Sequence, residues 1–131
     1  MPYGWAEHTG ELELWVTAAR EQDVFAEALQ AVAEVLDDDG EGAGEERLVV
    51  VESGDRARTL ASFIEELAFL AETEGFVPER VGELTLSPGG MRVLVVGRRG
   101  APRQLVKAVT LHRLAFQRDG DGWRARVVID V

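Results

Sequence analysis

The sequence is poor in several residue types, and each scarcity excludes a class of structure. None of its 131 residues is cysteine, so disulfides and thiolate metal sites are excluded and the chain suits a reducing cytoplasm. No apolar run approaches the roughly 18 to 20 residues that a membrane helix needs. The first residues also lack the basic and apolar regions of a signal peptide. We therefore expect a cytoplasmic domain that makes no membrane contact.

Basic residues are scarce at the start of the chain and concentrated at its end. Residues 1–46 hold 13 acids and one base, whereas residues 92–131 hold three acids and nine bases, within a net charge of −10. A mostly acidic surface repels phosphate, so we expect no strong direct binding of nucleic acid. The basic stretch 98–103 leaves two interpretations open, an anion or acidic-partner contact and a solvated connection, of which we favour the second.

Lysine is almost absent. Of the 14 basic residues, 13 are arginine and one is Lys107. Arginine does not replace lysine where a site needs a compact ammonium group. A single lysine must lie somewhere, so this count alone is weak evidence for a function of Lys107.

Apolar periodicity predicts the secondary structure of the first half. Alternation over Glu11–Thr17 predicts a half-buried strand, and apolar spacings of three and four predict a helix near 21–36. Residues 37–46, rich in acids and glycine, predict a loop. The run Leu48–Val51 predicts a short buried strand.

A second helix is predicted to follow Asp55 and to end near Gly75. Beyond it the period switches to two, which predicts two hairpins with strands over 81–86, 92–96, 104–117 and 123–131. We see neither a linker nor a repeat and therefore predict one domain, residues 1–131. Its predicted class is α+β, with two helices packed on one face of a mostly antiparallel sheet.

The acidic loop matches part of a calcium-binding EF-hand. Asp37, Asp39 and Glu41 fall at the first, third and fifth positions of such a loop. The twelfth position, which requires a bidentate glutamate, is Leu48, and a predicted strand follows instead of a helix. The EF-hand interpretation therefore fails, and we interpret the segment as a solvated loop.

Catalytic motifs are missing as well. The sequence contains no phosphate-binding loop, no dinucleotide-binding fingerprint, no zinc-protease motif and no nucleophile elbow. Its two histidines, His8 and His112, belong to no recognisable triad. We therefore expect no independent enzymatic activity, and a self-sufficient metal-dependent hydrolase is the last of our hypotheses.

The last strand carries an acid near its end. Alternation places Asp130 on the more polar face of the strand, and Val131 adds a carboxylate that is ionised at neutral pH because its pKa is about 3.5. If the strand containing Glu11 is a neighbour, three carboxylates converge and could bind a hard cation. The alternative, which physical reasoning alone favours, is that Arg124 and Arg126 pair with acids of that neighbouring strand.

Four stretches, in order along the whole chain, resemble the archease family. They are Glu7–Leu12 (EHTGEL), Thr59–Ala68 (TLASFIEELA), Val106–Leu114 (VKAVTLHRL) and Gly122–Val131 (GWRARVVIDV). The family also ends in aspartate followed by one apolar residue. The Lys-Ala-Val-Thr block together with the terminal Asp-Val is the most specific part of the resemblance.

The resemblance implies a small cytoplasmic accessory protein of tRNA splicing. Archeases are protein cofactors of RtcB-type RNA ligases, which join RNA ends with GTP and divalent metal, and they promote guanylylation and multiple turnover of the ligase. Carried over by position, the family's metal site falls on Glu11, Asp130 and Val131, with Ca²⁺, Mg²⁺ or Mn²⁺ as the ion. The motif lysine falls on Lys107. The alternative function is a general chaperone or specificity modulator of RNA-processing enzymes such as tRNA methyltransferases.

Four positions qualify this picture. Glu11 stands where the family has aspartate, which keeps the charge but adds a methylene between backbone and carboxylate. For His8 and His112 a structural hydrogen-bonding role is the favoured interpretation. Without a bulge in the strand, Lys107 and His112 point to opposite faces and cannot serve one site.

Overall fold

A computed structural model describes residues 2–36 and 44–131. The described residues form seven strands and two helices. In chain order these are β1 (Tyr3–His8), β2 (Glu11–Ala18), α1 (Glu21–Leu36), β3 (Glu45–Glu52), α2 (Arg56–Glu74), β4 (Phe76–Ser87), β5 (Gly90–Arg99), β6 (Ala108–Asp119) and β7 (Gly122–Asp130). Neither helix is long and apolar enough to cross a membrane.

The strands form two sheets, and every described pair of neighbours is antiparallel. One sheet has the order β1-β2-β7-β6 and the other has the order β3-β5-β4. Each helix contacts strands of both sheets, so the apolar stripe of each helix is buried between them. The predicted α+β class with two helices and antiparallel strands is confirmed. The division of the strands into two sheets, with the helices between them, is a feature that the sequence did not predict.

Both helices have the predicted extents. α1 buries an apolar stripe that includes Phe25 and Leu29. At the start of α2, the Asp55 carboxylate accepts hydrogen bonds from the main-chain N–H groups of Ala57 at 2.9 Å and Arg58 at 3.4 Å. At its end, Gly75 adopts a left-handed conformation with φ 64°.

Aromatic contacts join the helices to the last hairpin. The ring of Phe25 in α1 lies 6.3 Å from that of Phe63 in α2 and 5.5 Å from that of Phe116 in β6. Phe116 in turn lies 5.8 Å from Trp123 in β7. Such pairs stabilise the core beyond their buried area. The end of the chain is therefore packed onto the same core as the early helices.

β3 differs from its prediction. It is longer than Leu48–Val51, and it is not fully buried, because Val49 and Val51 face the core while Leu48 and Val50 are exposed. The cause is its place at the edge of a sheet that leaves one face to solvent. The first part of the predicted acidic loop and EF-hand segment, residues 37–43, lies outside the described residues.

Other strands also differ from the sequence prediction. β4 (Phe76–Ser87) and β5 (Gly90–Arg99) extend beyond the predicted 81–86 and 92–96 at both ends. The predicted strand 104–117 is observed as β6, which begins at Ala108 and contains an irregularity in register between Thr110 and Ala115. β1 was not predicted, because its pairing with β2 rather than its own alternation defines it as a strand.

The single tyrosine of the chain ties β1 to α1. The Tyr3 hydroxyl donates a hydrogen bond of 2.5 Å to the Glu34 carboxylate. This hydrogen bond, followed by desolvation and by the negative charges of Glu34 and Glu27, raises the pKa of Tyr3 from 10.0 to about 12. The neutral phenol is therefore favoured in the folded state. Its contribution to stability is fully present below pH 10 and is lost as the pH rises through 12.

We expect Glu34→Ala to lower the pKa of Tyr3 towards 10, since the hydrogen-bond acceptor and most of the nearby charge are removed. Ultraviolet titration of phenolate absorbance measures this directly, because the chain contains one tyrosine. Glu27→Ala is the control and should leave the midpoint near that of the wild type. An unchanged midpoint in Glu34→Ala would show that this hydrogen bond does not control the titration.

Candidate functional site

Four residues line up across one end of the four-stranded sheet. The register pairs His8 with Glu11, Glu11 with Asp130, and Asp130 with Ala108. Directly opposed residues of antiparallel strands project to the same face, with Cα atoms about 4.5 to 5.5 Å apart. The predicted convergence of Glu11 and Asp130 is therefore observed. We call this pair and the adjoining Val131 the carboxylate row.

Main-chain hydrogen bonds hold the end of β7 on both sides. The N–H of Val131 donates to the carbonyl of Gly10 at 3.2 Å, and the N–H of Lys107 donates to the carbonyl of Asp130 at 2.8 Å. Glu11 and Val131 also line a surface depression of about 600 Å³. The backbone that presents the carboxylate row is thus fixed by neighbours before any ligand is considered.

The carboxylates of Glu11 and Asp130 have no cationic partner among the described residues. Arg126 lies 3.8 Å from Glu13, so half of the cross-strand alternative is observed. The other half, an arginine paired with Glu11, is not observed in the described ranges. The structure therefore leaves two like charges opposed on adjacent strands, which repel each other.

Glu13, two residues along the same face, has a very different environment. Its side chain is buried at 3% exposure, and its carboxylate lies 3.0 Å from a guanidinium nitrogen of Arg113. Arg126 also donates a hydrogen bond of 2.6 Å to the carbonyl of Arg113. A buried carboxylate requires such partners because desolvation penalises its charged form. We call Glu13, Arg113 and Arg126 the ionic cluster.

A bulge in β6 creates the ionic cluster. Five steps along β6, from Thr110 to Ala115, correspond to two steps along β7, so three extra residues are inserted. Arg113 lies within this bulge and has φ 62°, a conformation uncommon outside glycine. Sequence reasoning missed Arg113. The available signal was a change in parity, because the core-facing residues are Val109 before the bulge and Phe116 after it.

The three other predicted residues, Lys107, His112 and His8, lie in three different parts of the structure. Lys107 is exposed and lines a groove beside α2 together with glutamates. His112 lies in the bulge, is exposed, and donates from its main-chain N–H to the Thr110 hydroxyl at 2.9 Å. His8 is opposite Glu11 in register. The predicted separation of Lys107 from His112 assumed a strand without a bulge; because β6 contains a bulge and begins after Lys107, that separation stays a prediction.

The donor chemistry of the carboxylate row fits a hard divalent cation. Ca²⁺, Mg²⁺ and Mn²⁺ prefer oxygen ligands, and carboxylates supply both the oxygens and the charge. The described part of the chain contains no group of three His, Cys, Asp or Glu side chains arranged for a metal. The predicted set has two such side chains, from Glu11 and Asp130, and takes its third carboxylate from Val131.

Comparison with protein families and curated relatives gives one consistent result. The model of the "Archease protein family (MTH1598/TM1083)" matches residues 3–131. "Protein archease" of Methanopyrus kandleri is 32% identical over an alignment of 142 positions, which covers the whole of both chains. "Protein archease" of Methanosarcina acetivorans is 30% identical over 139 residues, covering 98% of this chain and 95% of the relative.

Two solved structures have the same fold. The solution structure of protein 1598 of Methanobacterium thermoautotrophicum aligns with a TM-score of 0.77 at 26% identity and covers 99% of each chain. The crystal structure of an archease from Thermotoga maritima aligns with a TM-score of 0.66 at 22% identity, covering 96% of this chain and 94% of that one. The second match supports the fold alone.

We expect Glu13→Ala to lower the free energy of unfolding by about 2 kcal/mol, because Arg113 and Arg126 lose the buried carboxylate between them. This loss is smaller than for a fully buried ion pair, since both arginines are partly exposed. Urea denaturation measures this change. Glu46→Ala, which removes an exposed acid from β3, is the control and should change stability by less than about 0.5 kcal/mol. Equal midpoints for the two variants would exclude a stabilising role for the cluster.

Proposed function

The chain belongs to the archease family, and on this premise we propose that it is a non-catalytic accessory protein that activates an RtcB-type RNA ligase. In this role it promotes guanylylation and multiple turnover of the ligase during tRNA splicing. The absence of a nucleophile motif or triad in the sequence supports action through protein contact. The purified chain alone is then expected to have no ligase or nucleotidyl-transfer activity.

A divalent-metal site is the second part of the proposal. Glu11 and Asp130 would hold Ca²⁺, Mg²⁺ or Mn²⁺ with their side chains, and Val131 with its main-chain carboxylate. When bound, the ion supplies the positive charge that offsets repulsion among these groups. The protein's own part is to fix the donors in position, through the β2–β7 register and the hydrogen bond from Val131 to Gly10.

One observation supports this site above the others. Glu11 and Asp130 are directly opposed on adjacent strands, and neither has an arginine or lysine partner in the described ranges. The same sheet face provides two arginines to Glu13. Two arginines therefore lie within a few residues of the carboxylate row, but both contact Glu13, and the charges of Glu11 and Asp130 are not compensated by an arginine or lysine of the described ranges.

The alternative is a chaperone or specificity modulator of other RNA-processing enzymes, such as tRNA methyltransferases. The archease of Thermotoga maritima is described as a possible chaperone, and the family model that names this protein also matches residues 3–131 of this chain, which favours this candidate. The two functions differ in their requirement for GTP-dependent ligation. A reconstituted assay of the cognate ligase, with and without this protein, distinguishes them, because a general chaperone does not raise the turnover of a ligase that is already folded.

We expect Asp130→Asn to abolish stimulation of the ligase and to remove the rise in melting temperature that Ca²⁺ or Mn²⁺ gives the wild type. The amide keeps the shape of the side chain but loses the charge that binds the ion. At an ion concentration of 100 Kd, the lost stabilisation is about 2.7 kcal/mol. Thermal unfolding with and without metal measures binding without any dependence on the ligase.

Two variants control this experiment. Asp121→Asn removes an exposed acid from the turn of the same hairpin and should behave as the wild type. Glu11→Asp restores the family's residue and should keep both metal binding and stimulation. If Asp130→Asn stimulates the ligase as well as the wild type does, the metal mechanism is wrong even though the accessory function stands.

We expect one alanine added after Val131 to weaken metal binding by at least about one order of magnitude, because the proposed third carboxylate becomes a neutral peptide carbonyl. Isothermal titration calorimetry with Ca²⁺ measures the affinity. Val131→Ala is the matched control, since it removes the side chain but keeps the carboxylate, and its affinity should remain close to that of the wild type. Equal affinity of the extended chain would exclude the main-chain carboxylate as a ligand.

A further inference from the structure

A groove of about 650 Å³ runs along the outward face of α2, between β3 and the start of β6. Ser62, Glu65, Phe69 and Glu72 lie on one face of the helix because they are spaced by three and four residues. They form one side of the groove, and Lys107 stands at the start of β6. This groove is separate from the depression that Glu11 and Val131 line.

The groove combines exposed apolar side chains with a strong negative charge. Phe69 is 53% exposed and Val50 is 48% exposed, and both line this groove, so their apolar surface is grouped and not scattered singly. Four glutamates and one lysine give the lining a net charge of −3; they are Glu52, Glu65, Glu66, Glu72 and Lys107. An acidic rim around apolar contacts is complementary to a basic segment with an apolar centre.

β3 adds main-chain groups to this surface. It is an edge strand of the three-stranded sheet, and Val50, Val51 and Glu52 line the groove. Edge strands are normally protected by charged or bulged residues at their centre. Here the centre displays Leu48 and Val50 to solvent. An edge of this kind pairs readily with an added extended chain.

We propose that this groove binds an extended segment of a partner protein, in which lysine or arginine residues flank one large apolar side chain. The apolar side chain packs against Phe69 and Val50, and the basic residues face Glu65 and Glu66. The backbone of the segment pairs with the edge of β3, and Lys107 donates to one of its carbonyl oxygens. The proposal depends neither on the metal site nor on the identity of the ligase.

The test selects a random peptide library displayed on phage against the full chain and measures a synthetic copy of the enriched peptide by fluorescence anisotropy. We expect enriched peptides with basic residues around an apolar centre. Phe69→Ala should weaken their binding at least about tenfold, as central apolar anchors do. Leu111→Ala is the matched control, because Leu111 is also 53% exposed but lies in the bulge of β6; it should bind as the wild type does.

Charge is tested by a second pair of variants. The double variant Glu65→Gln, Glu66→Gln should weaken peptide binding and reduce its dependence on salt, since two of the facing charges are lost. The double variant Asp119→Asn, Asp121→Asn removes the same charge from the β6–β7 turn and should leave both the peptide affinity and its salt dependence unchanged.

Hydrogen exchange of the wild type with bound peptide locates the site without any substitution. Slower exchange of main-chain amides in β3 supports the proposal. Failure to enrich any peptide, enrichment of peptides without basic residues, or wild-type affinity in Phe69→Ala would each overturn it.

Discussion

The antiparallel register between β2 and β7 is the constraint on which the candidate site depends. It joins a strand near the start of the chain to one at its end, and it is set by apolar residues that face the core, such as Leu14 opposite Val127. A slip of one residue would turn these side chains to solvent and bury the charged ones, so one register is strongly preferred. Glu11 and Asp130 are opposed as a consequence of this core packing. The free energy gained by burying apolar side chains elsewhere along the same two strands therefore offsets the electrostatic repulsion between Glu11 and Asp130.

The acids on the outer face of this strand pair differ in burial and in their cationic partners. Glu13 is buried beneath the β6 bulge, and burial of an unpaired carboxylate costs so much free energy that Arg113 and Arg126 must accompany it. Glu11 and Asp130 are only partly buried, so water can solvate them without a protein cation. This difference in solvation explains how a like-charged pair persists two residues from a compensated one. It also keeps the pair accessible to an ion from solution, which a buried pair would not be.

The sequence predicted those features that follow from local periodicity. Both helices and the N-cap at Asp55 required only spacing and parity, whereas the convergence of Glu11 with Asp130 was predicted on the condition that their strands are neighbours. Features that depend on which strands become neighbours were beyond it. The exposure of Val50 follows from the place of β3 at a sheet edge, and no pattern within β3 indicates that place. The only sequence signal of the bulge at Arg113 was a change of parity among the apolar residues. This signal is overlooked when the stretch is interpreted as one continuous alternating strand.

The stretch around Lys107 shows how one short motif can serve two surfaces. Its main-chain N–H holds the carbonyl of Asp130, whereas its side chain lines the groove beside α2. Lys107 precedes the first residue of β6 and lines this groove, whereas Glu11 and Val131 line a separate depression. A motif lysine next to the proposed metal site is easily interpreted as part of that site. Here the two are distinct, because the main chain of Lys107 holds Asp130 in place while its side chain lines the groove.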